Sequence, residues 1–207
     1  MATFLFWSGI TGGLVGLYLV VVRPWQLRWG AADAEVGLAL PGDALVAEPD
    51  FNATRAIAIA AAPALVWRWL VQLGSRRAGW YSIDWLDNGG VKSATEILPA
   101  FQQIAVGQFI PFTPNQQNGM WVKEFVAFRY ILWADRAGRA TWLWYLAPTT
   151  SGEIRLLTRL RTKYDWRSRW IVYYLLYDVG DILLMSTCLK GIKRRAEKEQ
   201  AALASGR

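Results

Sequence analysis

The chain contains no histidine and a single cysteine, Cys188, among 207 residues. The first absence removes the side chain that titrates near neutrality, and with it histidine general acid–base catalysis, the usual nucleophile triads and the commonest metal ligand. The second rules out an intrachain disulfide and a thiolate zinc site. A metal would have to be held by carboxylates and carbonyls. Asp178 and Asp181 have helical i, i+3 spacing, but a helix-start role accounts for them equally well, and no metal or other cofactor is expected.

Charge is also missing from one long stretch. Phe4 to Val22 carries no charged side chain and ends at Arg23-Pro24. At ~1.5 Å per residue such a helix rises about 28 Å, close to a bilayer core of about 30 Å. Trp7 at one end and Trp25 and Trp29 beyond the other suit a headgroup layer. Met1-Ala2-Thr3 lacks the basic start of a cleaved signal peptide. The expectation is therefore one uncleaved transmembrane helix in a bacterial cell membrane. Arg23 and Arg28 lie on its C-terminal side, which predicts a cytoplasmic body. Gly9, Gly12, Gly13 and Gly16 form two overlapping G-x-x-x-G patterns, a face for self-association or for a membrane-protein partner.

What is abundant is tryptophan, 13 in all, and positive charge, with 23 Lys and Arg against 16 Asp and Glu and a net charge of +7. Lys190, Lys193, Arg194, Arg195 and Lys198 crowd the C-terminus. No nucleic-acid module accompanies them, so a solvated helix end or attraction to anionic headgroups is expected, and no nucleic acid. Rings such as Trp67, Trp69, Trp80, Trp85, Trp121, Trp133, Trp142 and Trp144 need a large core or an apolar cavity.

Element signals give an order. Arg28 to Asp50 shows no periodicity and reads as an irregular connector. Thr54–Ala60 alternates as a strand, and Pro63 opens a helix that stops at Gly74. Ser93–Leu98 reads as a short helix with a Ser93/Glu96 capping box. Strands are predicted at Gln108–Phe112, Gly119–Phe125, Phe128–Ala134, Thr141–Ala147 and Glu153–Tyr164. A long helix follows from Trp166, with Asp178 or Asp181 capping its last section. This order predicts an α+β fold, a curved antiparallel sheet closing on a C-terminal helix.

Several segments resemble bacterial proteins of the SRPBCC, or START/polyketide-cyclase-like, superfamily. They are Arg28-Trp29-Gly30-Ala31-Ala32-Asp33-Ala34-Glu35, Leu40-Pro41-Gly42-Asp43, Ala62-Pro63 with Val66 to Gly74, Gly79 to Leu86, Ile97 to Gln102 and Leu189 to Glu197. The resemblance spans nearly all of the body and implies a helix-grip fold with a deep hydrophobic pocket between sheet and terminal helix. It does not imply one chemistry, because carriers and cyclases share the fold. The expected organisation is an anchor at 1–27, a connector at 28–50, a helix-grip domain at 51–199 and a polar tail at 200–207.

Candidate ligand-binding residues are Trp80, Tyr81, Asp84, Trp85, Trp121, Trp142, Trp144 and Arg159. Trp142 and Trp144 share one strand face, Leu143 and Tyr145 the other. Arg159 reads first as solvated surface; facing inward, it would need a buried partner or an anionic ligand. The expected function is binding of a membrane lipid or apolar small molecule. The alternatives are a cyclase or lyase using Asp84, Tyr81 or another buried carboxylate with a raised pKa, and an accessory subunit of a membrane complex.

Overall fold

The computed structural model describes Trp7, Gly13 and residues 16–149, 153–167 and 171–206. A π-helical turn, Tyr18–Val22, runs into α1 (Arg23–Leu27). Next come α2 (Asp33–Val36), a 3-10 turn (Asp43–Val46), β1 (Phe51–Ile59), α3 (Pro63–Val71) and α4 (Asp84–Asp87). A 3-10 turn at Pro99–Phe101 precedes β2 (Phe109–Pro111), β3 (Gly119–Val126), β4 (Tyr130–Ala134), β5 (Ala140–Pro148) and β6 (Ile154–Thr162), and α5 (Ile171–Ala204) closes the chain. The sheet is antiparallel throughout in the order β1-β6-β5-β4-β3-β2. Together with the long C-terminal helix this is the helix-grip arrangement, α+β.

Alternation sorts the strands into two faces. On the inner one, Ala53, Leu160, Trp142 and Trp133 form one cross-strand row, and Arg55, Thr158, Trp144 and Ile131 the next. Nearly all are buried in a core completed by Leu65, Val66, Trp69 and Leu70 of α3 and Met185, Cys188, Leu189 and Ile192 of α5. Helix α3 starts as its composition demands, with Pro63 in the first turn. It cannot run past Gly74, whose φ of +126° is outside helical geometry and open only to glycine. Helix α5 comes close to the chain at Tyr81 because residue 191 is glycine; a Cβ there would run into the Tyr81 carbonyl.

The outer face belongs to the connector. Instead of an irregular tether, residues 28–50 form a strap with its own helical turns, held by three arginines that alternation places side by side on β6. Arg159 is 3% exposed. Its five N–H groups reach five acceptors: Thr54 Oγ1 (2.8 Å), the Leu38 (2.7 Å), Glu35 (3.1 Å) and Val36 (2.8 Å) carbonyls, and Asp43 Oδ2 (2.7 Å). Arg155 grips Glu35 (2.6 Å) and the Gly30 carbonyl, and Arg161 the Val46 (2.9 Å) and Ala47 (3.1 Å) carbonyls. The Arg155 bond holds the Glu35 carboxyl below its ordinary range. Leu40 packs with Leu132 and Leu143 beneath the strap.

No helix among the described residues is long and apolar enough to cross a membrane. That overturns the single-pass anchor and the membrane address built on it. The described end of the apolar run is docked on the domain by polar bonds. The Tyr18 hydroxyl donates to Asp178 Oδ1 (2.8 Å), Arg23 Nη2 to Asp178 Oδ2 (2.8 Å), and the fully buried Gln26 to the Asp178 carbonyl (2.7 Å). Burial, with Asp178 next, pushes the Tyr18 phenol up to about 12. Gly13 and Gly16 face open space; Gly9 and Gly12 lie outside the described residues.

Asp178 and Asp181 cap nothing. Both are buried in mid-helix as ion-pair partners, Asp178 of Arg23 and Asp181 of Arg55. The Ser93–Leu98 helix is also absent. The Ser93 hydroxyl donates to Asp84 Oδ1 (2.5 Å) and accepts from the Tyr81 N–H (3.0 Å), so it is not available to start a helix.

Candidate functional site, an aromatic cavity under the terminal helix

The space between the sheet and α5 is largely filled by the protein's own rings. Trp80 and Trp142 stack at 5.6 Å and 11°, and Trp142 and Trp144 at 5.1 Å and 30°. Trp133 meets Trp142 edge-on at 5.4 Å and 83°, and Phe112 meets it at 5.4 Å and 81°. Such offset and T-shaped pairs contribute ~0.5–1.5 kcal/mol each beyond their burial. The deep pocket implied by the superfamily resemblance is thereby reduced to a cavity of about 250 Å³.

Its walls come from four places in the chain. Trp80, Leu86 and Asp87 arrive from the segment after α3, Phe112, Thr113 and Pro114 from the end of β2 and the turn after it, and Trp142 from β5. Helix α5 contributes Asp181, Leu184, Met185 and Cys188, one stripe at helical spacing. Apolar surface dominates, and the polar points are few.

Those points differ in state. Asp181 is neutralised from the sheet side by Arg55, whose Nε also donates to the Gln26 carbonyl (2.8 Å). The Cys188 thiol is buried and pushed up by that burial, which keeps it protonated and unreactive. Asp87 stands apart: its Oδ1 is buried with no hydrogen-bond partner among the described residues. Burial raises this carboxyl to about 6, with a hydrogen bond from Ser82 opposing the shift and the nearby Asp84 charge adding to it.

Of the sequence-predicted residues, Trp80 and Trp142 line the cavity. Trp144 is fully buried behind Trp142. Tyr81 is buried as a structural post at φ +57°, donating to the Trp69 carbonyl (3.2 Å), accepting from Gln72 (2.9 Å) and lying under the Arg195 guanidinium. Asp84 accepts from the backbone N–H (3.0 Å) and hydroxyl of Ser93 and is not in the lining. Trp85 points to solvent at 75% exposure. Trp121 faces away from the cavity, between Phe109 and the Arg136 guanidinium on a shallow surface groove. Arg159 faces the strap. The carboxyl that reaches the cavity, Asp87, lies one helical turn beyond the chosen Asp84; i, i+3 spacing from Asp84 was the available signal.

The acidic and thiol side chains around the cavity do not make a metal centre: among the described residues no group of His, Cys, Asp or Glu is arranged to hold an ion.

No protein-family model matches the chain, and no curated protein matches it. Solved structures with a similar outline include a polyketide-cyclase-like protein from Corynebacterium glutamicum, with 15% identity over 72% of this chain and 92% of that one and a TM-score of 0.45. A conserved protein of unknown function from Enterococcus faecalis shares 12% identity over 75% and 85%, TM-score 0.42. A protein from Chromobacterium violaceum shares 17% over 70% and 96%, TM-score 0.40. The helix-grip assignment rests on this chain's own topology.

Proposed function

We propose that the protein binds a compact apolar small molecule in the cavity between β5, the 80–87 segment and α5. The observation that carries this reading is the lining itself: Trp80, Phe112, Trp142, Leu184 and Met185 form an apolar enclosure with carboxyls at only two points. An SRPBCC-type helix-grip domain supports it, because that architecture places its ligand site between sheet and terminal helix. At about 250 Å³ the space falls just under the ~300–1,000 Å³ usual for small-molecule pockets. The occupant is therefore the size of one or two rings, and a long-chain lipid does not fit.

A neutral probe tests this. Titration of 2-phenylethanol by saturation-transfer NMR is expected to show saturable binding at one site. Leu184→Trp, which fills the cavity from α5, is expected to abolish binding while the thermal midpoint moves by no more than about 4 °C, the shift of ~1 kcal/mol. Binding that survives the plug refutes the site, and so does the absence of binding to the unmodified protein.

A second reading, a cyclase or lyase, is favoured by one feature: a carboxyl titrating near 6 in the cavity wall has the range of a general base. Unchanged turnover of an identified substrate by Asp87→Asn would remove it.

A further inference from the structure

The charge around the cavity is lopsided in a protein that carries +7 overall. The lining contains two carboxyls and neither lysine nor arginine. Asp181 already has Arg55, which leaves Asp87 as the lining carboxyl without a cation opposite it. The other groups around it are the Ser82 hydroxyl, which also donates to the Leu184 carbonyl (2.9 Å), Asp84 on its own helix, occupied by Ser93, and Asp181 and Cys188 on α5. Arg195, the α5 cation whose charge reaches Cys188, is committed to the Ala94 (2.9 Å) and Gly191 (3.2 Å) carbonyls. The other buried side-chain atoms without a hydrogen-bond partner among the described residues, on Trp133, Trp144, Arg55, Gln26, Asp43 and Ser75, belong to residues that do not line the cavity. An occupant therefore meets an acceptor.

Resting on the cavity reading above, we infer that the site selects small aromatic or aliphatic molecules bearing a protonated amine, with Asp87 as counter-ion and the Trp80–Trp142 rings as wall. Two physical terms favour the cation. A carboxylate oxygen out of water and without a partner is costly, and an ammonium N–H removes that cost by a charge-assisted bond. Indole rings attract cations placed over them, and tryptophan does so best. A carboxylate-bearing ligand meets the opposite situation, repelled by Asp87 with no basic side chain in the lining to receive it.

Three molecules of matched shape separate the possibilities by calorimetry at pH 7.5: 2-phenylethylamine, 2-phenylethanol and phenylacetate. The expected order is amine about tenfold or more tighter than alcohol, and phenylacetate weaker than either. Asp87→Asn should bring amine and alcohol within about threefold of each other while alcohol binding persists. In the unmodified protein, lowering the pH from 7.5 to 5 should shrink the amine's advantage, since Asp87 gains its proton while the amine keeps its own. This arm decides the matter even where the variant fails to fold.

Phenylacetate binding as tightly as the amine overturns the inference, as does an amine preference that survives Asp87→Asn or does not change with pH. Alcohol and amine binding equally to the unmodified protein removes the charge selection and leaves the cavity reading standing. No binding by any of the three removes both.

Discussion

The two faces of one sheet solve burial in opposite ways. On the outer face, Arg155, Arg159 and Arg161 are tied to the strap, and Arg159 has no N–H left over. On the inner face, tryptophans pack by shape and open space remains beside the Asp87 carboxyl, whereas the strap's Asp43 Oδ1, also without a hydrogen bond, has the Arg161 guanidinium at 3.5 Å. Hydrogen bonds are directional and can be saturated; ring packing fills space only as far as ring shapes allow. The comparison teaches where a ligand has something to gain, which is the inner face.

Breaking the saturated face should have the largest effect. Arg159→Met removes one donor each from Asp43, Thr54 and three strap carbonyls and is expected to cost ~3–5 kcal/mol, the range for breaking a buried ion pair. Urea unfolding measures it, and a loss below ~1 kcal/mol would show that the strap is held by Leu40 packing instead.

A smaller effect is expected where the inner face meets its helix. Gly191→Ala pushes a methyl group against the Tyr81 backbone, and overpacking of this kind costs ~1–3 kcal/mol. Gly180→Ala on the same helix meets nothing within 4 Å and should stabilise by up to ~1 kcal/mol through helix propensity alone. Equal effects at the two positions would mean that α5 does not approach the 80–82 turn as described.

The smallest effect sharpens the comparison. Asp87 has a folded value raised above that of the unfolded chain, so its favourable contribution is complete below about 4 and is lost as pH rises through about 6. Asp87→Asn should therefore stabilise at pH 7.5, with the advantage fading as pH falls from 6 towards 4. Because the side chain is only about half buried, solvent screening limits the gain to on the order of 1 kcal/mol. A variant equally stable to wild type at every pH would contradict the burial of that carboxyl.

Much of the fold was legible because strands and helices announce themselves by local period. Trp142 and Trp144 were placed together on one strand face by alternation, although only the structure says that the face is inward. What was not legible depends on partners far away in sequence. The strap shows no periodicity because its order comes from arginines more than a hundred positions later. Arg159 looked like surface since three of its five acceptors are backbone carbonyls, which have no signature in sequence, and the other two lie more than a hundred positions away. Ser93 looked like a cap, but a carboxylate nine residues earlier had claimed it. The apolar run ending at Val22 was read by its length, its lack of charge and its flanking tryptophans; Tyr18, inside that run, is the residue whose hydroxyl docks it on Asp178. At the cavity, the aromatic segment was recognised, but the carboxyl named from sequence was Asp84, one helical turn short of Asp87, which lines the space.

The Asp178 cluster carries a practical consequence for anyone preparing the domain. An expression boundary drawn at Arg28, after the uncharged run, would discard Tyr18, Arg23 and Gln26 and leave the buried Asp178 carboxylate of α5 without its cation. It would also remove the Gln26 carbonyl that orients Arg55, the residue neutralising Asp181 in the cavity wall. A shortened protein made in that way would test a damaged binding site, and its silence toward ligands would say nothing about the intact one.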